Sequence, residues 1–328
     1  AGLYPPGSTI KSLAVISALE NDVFNPKTVI RCNGSIELYG EKFHCWKKKG
    51  HGFMDMREGL KQSCDVYFYE VARKLGIDRL SETAKKFGLG EKVLDGFIEE
   101  KTGIVPDTSW KKKYIGKNWY LGETLHAGIG QGYWQSSPMQ LCLMTAQIAN
   151  GGYKIKPRII LNDDESKKFT DLNRFIEDRK LFADDVVSLY DFISKFKYKS
   201  LFRNPENIKF VIDALYGATN EPGGTSYGSR LTKKGFIFAG KTGTSQVKRF
   251  TARQRELEVK NEDLPYEDRD HALFVAFAPF KDPRYAISVV IEHGGSGSKS
   301  AAPIAKKVIK KVLERHPLRE AQANGEIV

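Results

Sequence analysis

No run in this sequence approaches the roughly 18 consecutive apolar residues that a membrane-spanning helix needs, and its opening, AGLYPPGST, lacks the basic, apolar and small-residue regions of a secretory signal. Taken as it stands, the chain is expected to be soluble and to carry no address. Internal repeats are absent, as is any stretch with a linker's composition, so a single domain is expected. One broad basic face is also missing. The formal charge is +12, but the lysines fall in short scattered runs at 47–49, 111–113 and 306–311, which excludes nucleic acid as the expected partner and leaves room for steering toward an anionic surface. Cysteine is scarce, with four in 328 residues. Cys142 stands alone in an apolar segment and reads as core, whereas Cys32, Cys45 and Cys64 share one short window with His51.

What is present suits a folded domain with a sizeable core: 41% hydrophobic and 28% charged residues. Helix starts are signalled at Ser8 after Pro5-Pro6-Gly7, at Asp55 before MREGLKQSCDVYFYEVARKLG, and at Ser137-Pro138 before MQLCLMTAQIANGG. The C-terminal half turns strand-like at 235–240, 273–280 and 285–292, followed by an amphipathic helix, AAPIAKKVIKKVLERH. Those strands are joined by a charged loop and a short turn rather than by helices, which favours antiparallel pairing. The expected fold is α/β of the α+β kind, helices packed on an antiparallel sheet, over residues 1–315. Polar insertions are expected near 162–204, with a helix near 183–195, and near 247–270; residues 316–328 read as a tail.

Ser8 and Lys11 lie three apart at a helix start, so the amine stands one turn from the hydroxyl as a candidate base for a candidate nucleophile. A lysine needs desolvation or a second nearby cation to act as a base, and Lys241 is the candidate cation. Alone, S-x-x-K is a weak pattern. It gains weight from Ser63-Cys64-Asp65 in the second helix and Lys241-Thr242-Gly243-Thr244 after the strand at 235–240, because the three occur in the order S-x-x-K, S-x-N-like, K-T-G. Thr242 and Thr244 are two apart on a strand and are expected to hold a carboxylate with Lys241, while Gly243 leaves room for a substrate backbone laid along that strand.

On these motifs the chain resembles the acyl-serine transferases that include penicillin-binding proteins and serine β-lactamases, and so the β-lactamase/transpeptidase-like fold with its helical subdomain. The segments YPPGSTIK, WKKKGHG, SCDVYFYEVARKLGI, GIGQGYW, AGKTGTSQ, KNEDLPYEDRDHALFVAFAP and HGG are similar to class B penicillin-binding proteins, specifically the penicillin-binding protein 2 group of elongation-specific transpeptidases. The resemblance implies attack by Ser8 on the D-Ala-D-Ala carbonyl of a peptidoglycan stem peptide and transfer of the acyl group to a neighbouring stem. In that scheme Lys11 takes the Ser8 proton, Ser63 bridges Lys11 and Lys241, and the N–H groups of Ser8 and Thr244 form the oxyanion hole. Asp65 replaces the usual asparagine, with a positioning role expected. The resemblance further implies acylation by β-lactams, a membrane glycan polymerase as partner, and a place on the periplasmic face of the inner membrane. The anchoring helix and the first sheet strands precede the serine motif in the family, and they are expected to be missing here. The E-x-x-x-N of class A β-lactamases is absent between Asp65 and Lys241, which favours a transpeptidase over that hydrolase. A carboxypeptidase, another lactamase class and a non-catalytic zinc-stabilised sensor remain alternatives.

Cys32, Cys45, His51 and Cys64 make up a Cys3His set suited to tetrahedral structural zinc. A Cys32–Cys45 disulfide or buried thiols are the alternatives from spacing alone, with His44 as a substitute ligand; metal at matching positions in several members of the resembled group favours zinc. The segment 128–132 reads as the cleft floor or a turn, Tyr227 and Trp134 as cleft lining or packing, and His293-Gly294-Gly295 as a turn.

Overall fold

The computed structural model describes residues 2–94, 96–159, 199–248, 251, 253–254, 257 and 259–315. The expected helix near 183–195, most of the insertion at 162–204 and the tail at 316–328 lie outside the described residues. A 3-10 turn, Gly7–Ile10, runs directly into helix α1, Lys11–Glu20. Leu13, Ala14, Val15, Ile16 and Ala18 of α1 are fully buried, the all-round burial of a helix at the centre of a domain. Two small antiparallel ribbons follow. One pairs β1 (Ile30–Cys32) with β4 (Gly52–Met54), and the other pairs β2 (Ser35–Leu38) with β3 (Glu41–His44).

Asp55 caps the next helix as expected, its carboxylate accepting the Glu58 N–H at 2.8 Å. The single helix expected beyond it is corrected to two, α2 (Met56–Lys61) and α3 (Asp65–Leu75). The break falls at Ser63, whose φ of 57° is left-handed and cannot continue an α-helix of L-residues. Helices α4 (Ile77–Lys86), α5 (Thr108–Ile115) and α6 (Leu121–Gly128) build the helical side of the molecule. Ser137 and Gln140 close a capping box at the start of α7 (Pro138–Ala149), with Pro138 in the first turn. Cys142 in α7 is half-buried rather than deep core. Helix α8, Pro205–Asn220, follows.

The main sheet has the order β5-β6-β7, all antiparallel, with β5 at Ala239–Ser245, β6 at His271–Ala278 and β7 at Tyr285–Ile291. Alternation along β6 decides the layering. Leu273, Val275 and Phe277 join the large core shared with α1, α3 and α8. Ala272, Phe274, Ala276 and Ala278 face a second core built with Ala302, Ala305, Ile309 and Leu313 of α9 (Ala302–Arg315). Helices thus cover both faces. The strand expected at 235–240 begins only at Ala239: residues 235–236 form a turn, with the Phe236 N–H donating to the Lys233 carbonyl, and Phe236 and Phe238 plug the second core. The Lys-Thr-Gly-Thr motif is therefore the strand itself.

Candidate active site

Lys11 and Lys241 meet at one hydroxyl. Lys11 Nζ donates to Ser63 Oγ at 3.2 Å and Lys241 Nζ donates to the same oxygen at 2.8 Å. Both lysines are completely buried. The bridging place expected for Ser63 follows from its left-handed backbone, which turns the side chain back between α1 and β5. Lys11 also donates to the Ser63 carbonyl at 3.0 Å and to Asp65 Oδ1 at 2.6 Å. Asp65 Oδ2 in turn accepts the Trp46 backbone N–H at 2.8 Å. Asp65 therefore orients Lys11 and the loop bearing Trp46.

Each buried amine lies beside the other's charge, as expected for the pair. Burial, with the Lys11 charge beside it, pushes Lys241 well below an ordinary lysine. Lys241 is thus the amine driven toward neutrality, while Lys11 has a carboxylate partner. Burial also pushes Asp65 up, against the opposing pull of Lys11.

Ser8 sits half-buried in the 3-10 turn, its carbonyl accepting the Lys11 N–H. The turn is held from outside. Gly7 N–H donates to the Gly130 carbonyl at 2.9 Å, and Tyr4 and Ser136 exchange backbone bonds of 3.0 and 2.9 Å. Gly130 has φ 76°, and a Cβ there would strike the Gly7 backbone, so the segment 128–132 acts as the floor beneath the serine turn. Gln131 Nε2 donates to the Thr244 carbonyl at 2.8 Å, joining that floor to β5.

Strand alternation and register put Lys241 opposite Val275, on the α1 side, and Thr242 opposite Phe274, on the other. The three side chains thus do not share a face; Thr242 and Thr244 share with Lys241 only the outer edge of β5, which among the described strands has no pairing partner. Thr242 Oγ1 donates to Thr225 Oγ1 at 2.9 Å. Gly243 gains a different reason from the one expected. A Cβ there would lie 3.0 Å from Thr9 Cγ2 and 3.1 Å from the Pro6 carbonyl, so glycine lets the strand close on the serine turn. Trp134 is fully buried, its indole N–H on the Ala127 carbonyl at 3.1 Å, and packs rather than lining the cleft. Tyr227, half-buried, lies under the Arg230 guanidinium at 3.8 Å, and the expected turn falls at Glu292 and His293, closed by the Gly294 N–H on the Ile291 carbonyl at 3.1 Å. Trp46, Gln131 and Thr225 join the site without having been singled out by residue type; WKKKGHG and GIGQGYW contained the first two, and Thr225 stands two residues before Tyr227.

Cys32, Cys45, His51 and Cys64 converge, their ligand atoms all within 4.8 Å of one another. His44 is outside this group; its carbonyl accepts the Tyr69 hydroxyl. His51 Nδ1 is 3.7 Å from Cys32 Sγ and 3.5 Å from Cys45 Sγ. These separations match the edge of about 3.6 Å of a tetrahedron with zinc's usual bond lengths to nitrogen and sulfur. The Cys64 thiol holds Cys45 far below a free thiol, and that negative sulfur pushes Cys64 up. Such a cluster has the sulfur and imidazole donor set and the closed, largely buried shape that a structural zinc site requires.

The "Penicillin binding protein transpeptidase domain" family matches residues 1–310. The peptidoglycan D,D-transpeptidase MrdA of Salmonella typhimurium is 34% identical over 315 residues, covering 95% of this chain and 47% of the relative; that of Acinetobacter baumannii is 34% identical, covering 99% and 45%. The chain spans about half the length of these curated relatives. Among solved structures, Pseudomonas aeruginosa PBP2 in complex with WCK 5153 has a TM-score of 0.74 at 34% identity, covering 95% of this chain and 61% of that one. Helicobacter pylori PBP2 in complex with MreC has a TM-score of 0.78 at 31% identity, covering 97% and 51%.

Proposed function

Because the chain belongs to the penicillin-binding protein transpeptidase family, we propose that it carries the catalytic site of a peptidoglycan D,D-transpeptidase of wall elongation, working through an acyl-Ser8 intermediate. The observation that carries the reading is the Lys11–Ser63–Lys241 bridge beneath the serine turn. Ser8 Oγ attacks the penultimate D-Ala carbonyl and forms the ester. The Lys11 amine becomes the base by passing its own proton through the Ser63 hydroxyl to Lys241, the amine that burial drives toward neutrality; it then takes the Ser8 proton, and the Ser63 hydroxyl, between the two lysines, relays a proton to the departing D-Ala nitrogen as the peptide C–N bond breaks. The N–H groups of Ser8 and Thr244 receive the oxyanion, a contribution of about 3–4 kcal/mol per donor in such sites. An amine of a second stem then displaces Ser8. The outer edge of β5 is suited to take the donor peptide as an added strand, with Thr242 and Thr244 on its terminal carboxylate.

Cys32, Cys45, His51 and Cys64 hold zinc in this reading. Bound there, it supplies no chemistry to the reaction and fixes the turn carrying Ser63. The working protein sits at the periplasmic face of the inner membrane and partners a membrane glycan polymerase, as names such as MrdA and a neighbouring peptidoglycan synthase complex that couples polymerization with crosslinking support. Intact-mass measurement after brief penicillin exposure tests the chemistry. A lasting adduct lost in Ser8→Ala is expected; rapid hydrolysis of the penicillin would instead identify a lactamase, and no adduct on folded protein overturns Ser8 as the nucleophile. Metal analysis of protein purified without added zinc is expected to find about one zinc per chain, and a Cys32–Cys45 disulfide without metal overturns the zinc assignment.

A further inference from the structure

Ser63 is held between two lysines from a backbone conformation that a non-glycine residue rarely adopts, with φ at 57°. Such a residue persists only where its surroundings over-determine it. Backbone bonds hold the two flanking N–H groups, Ser63 to the Leu60 carbonyl at 3.2 Å and Cys64 to the Gly59 carbonyl at 2.9 Å, and Trp46 adds side-chain and backbone donors on the other side. The indole Nε1–H donates to the Ser63 carbonyl at 3.0 Å and to that of Gln62 at 3.3 Å, and the backbone N–H of the same residue donates to Asp65 at 2.8 Å. The other donor to the Ser63 carbonyl is Lys11 itself. Yet Trp46 is 59% exposed, with its ring edge-on to His51 at a centroid distance of 5.2 Å. A tryptophan so exposed contributes little to a core, while both of its N–H groups bind the turn that carries Ser63 and Asp65.

We propose that Trp46 is a positioning residue for the acylation step: its indole N–H pins the Ser63 peptide in the left-handed conformation, and its backbone N–H pins Asp65, so that Ser63 Oγ stays between Lys11 and Lys241. The inference rests on the acyl-serine reading above. Without the indole donor, the peptide joining Ser63 to Cys64 keeps the Cys64 N–H bond to the Gly59 carbonyl at 2.9 Å and the Lys11 bond but loses one of the two donors on its carbonyl, so it is less firmly held against a rotation that would release its left-handed strain. That rotation takes the carbonyl off Lys11 and the hydroxyl off the line between the two amines. Trp46 follows Cys45 and Ser63 precedes Cys64, so the same residue joins the Cys3His cluster to the reacting groups.

The test is time-resolved acylation of the purified protein by a fluorescent penicillin, resolved into the dissociation constant of the reversible complex and the acylation rate constant. Trp46→Phe keeps an aromatic ring and removes the donor. Its acylation rate constant is expected to fall about tenfold, about 1.4 kcal/mol of barrier, with reversible binding, melting temperature and metal content unchanged. Trp46→Gln, which restores an N–H without the ring, is expected to recover part of the rate. An unchanged rate constant in Trp46→Phe overturns the proposal. So does a loss confined to reversible binding, which makes the ring a ligand contact, or a rate loss that tracks a lowered melting temperature. Failure of the unmutated protein to acylate, or acylation that survives Ser8→Ala, overturns the acyl-serine reading and this inference with it, and is distinguishable because it appears before any Trp46 variant is compared.

Discussion

Lys241 shows at the residue scale how this site trades stability for chemistry. Its amine is buried among groups that do not include a direct carboxylate partner, and burial together with the Lys11 charge pushes it well down. Between that lowered value and an unfolded lysine's value of about 10.4, the folded state binds fewer protons than the unfolded one, so stability rises with pH across the window. Replacing Lys241 by Met is therefore expected to raise stability at neutral pH by ~1–3 kcal/mol, with the advantage shrinking as pH rises toward about 10, while penicillin acylation is lost. Melting curves across pH and adduct mass check both halves; a Met variant that melts lower contradicts the account. Gly243 carries a second prediction. Gly243→Ala sets a methyl against Thr9, Leu273 and Pro6 and is expected to destabilise by ~1–3 kcal/mol. Its acylation is expected to slow because the serine turn is displaced from β5, as urea titration and adduct formation would report.

Elements set where these residues stand. α2 is clamped to α8 by Arg57, which reaches Asp213 at 2.5 Å and Glu221 at 2.7 Å, and by Lys61, 3.0 Å from Glu221. Hydrogen bonding from Arg57, with help from Lys61, holds Glu221 down from 4.5 to about 2. The sign is that of a depressed carboxylate: the stabilisation is present above pH 4.5 and is lost as pH falls toward 2. Because the pair is partly exposed and screened, its size is under about 1 kcal/mol. Glu221→Gln is expected to melt slightly below the unmutated protein at pH 7 and to match it near pH 2–3, with the gap narrowing in high salt; a gap constant across pH contradicts the clamp. The ribbons offer the metal prediction. If zinc fills the Cys3His cluster as proposed, a chelator is expected to lower the melting temperature and to expose Cys45 and Cys64 to thiol reagents, since the β1–β4 ribbon is short and carries Cys32 at its end.

At the scale of the whole molecule, the sheet separates two cores, only one of which touches the reacting groups. Phe274 lies wholly in the second core, fully buried against Phe238 at a centroid distance of 6.3 Å. Phe274→Ala is expected to cost ~3–5 kcal/mol of stability while leaving the acylation rate of the folded fraction within about threefold, under 1 kcal/mol of barrier. A large rate loss at full folding would show that the second core supports the site after all. No helix among the described residues is long and apolar enough to cross a membrane. The charge of +12 acts on the whole chain in another way, favouring approach to anionic surfaces in general with an attraction that weakens as salt rises.

The order of the three motifs was legible in the sequence because chemistry restricts residue type: a hydroxyl with an amine one turn away, a second hydroxyl, and a lysine on a strand. The Cys3His set was legible for the same reason, and so were the Asp55 and Ser137 caps, which depend on neighbours only three residues distant. Tertiary structure decided the rest. The break between α2 and α3 arises because Ser63 must meet amines from α1 and β5, and no local propensity records that demand. The strand's true start was hidden since Phe236 and Phe238 are apolar for a core rather than for a ladder. Which lysine burial drives toward neutrality depends on Asp65 reaching Lys11 across 54 residues of chain, and the place of Trp46 depends on a ribbon folding back over that turn. Residue types named the chemistry; long-range contacts set its geometry and charge.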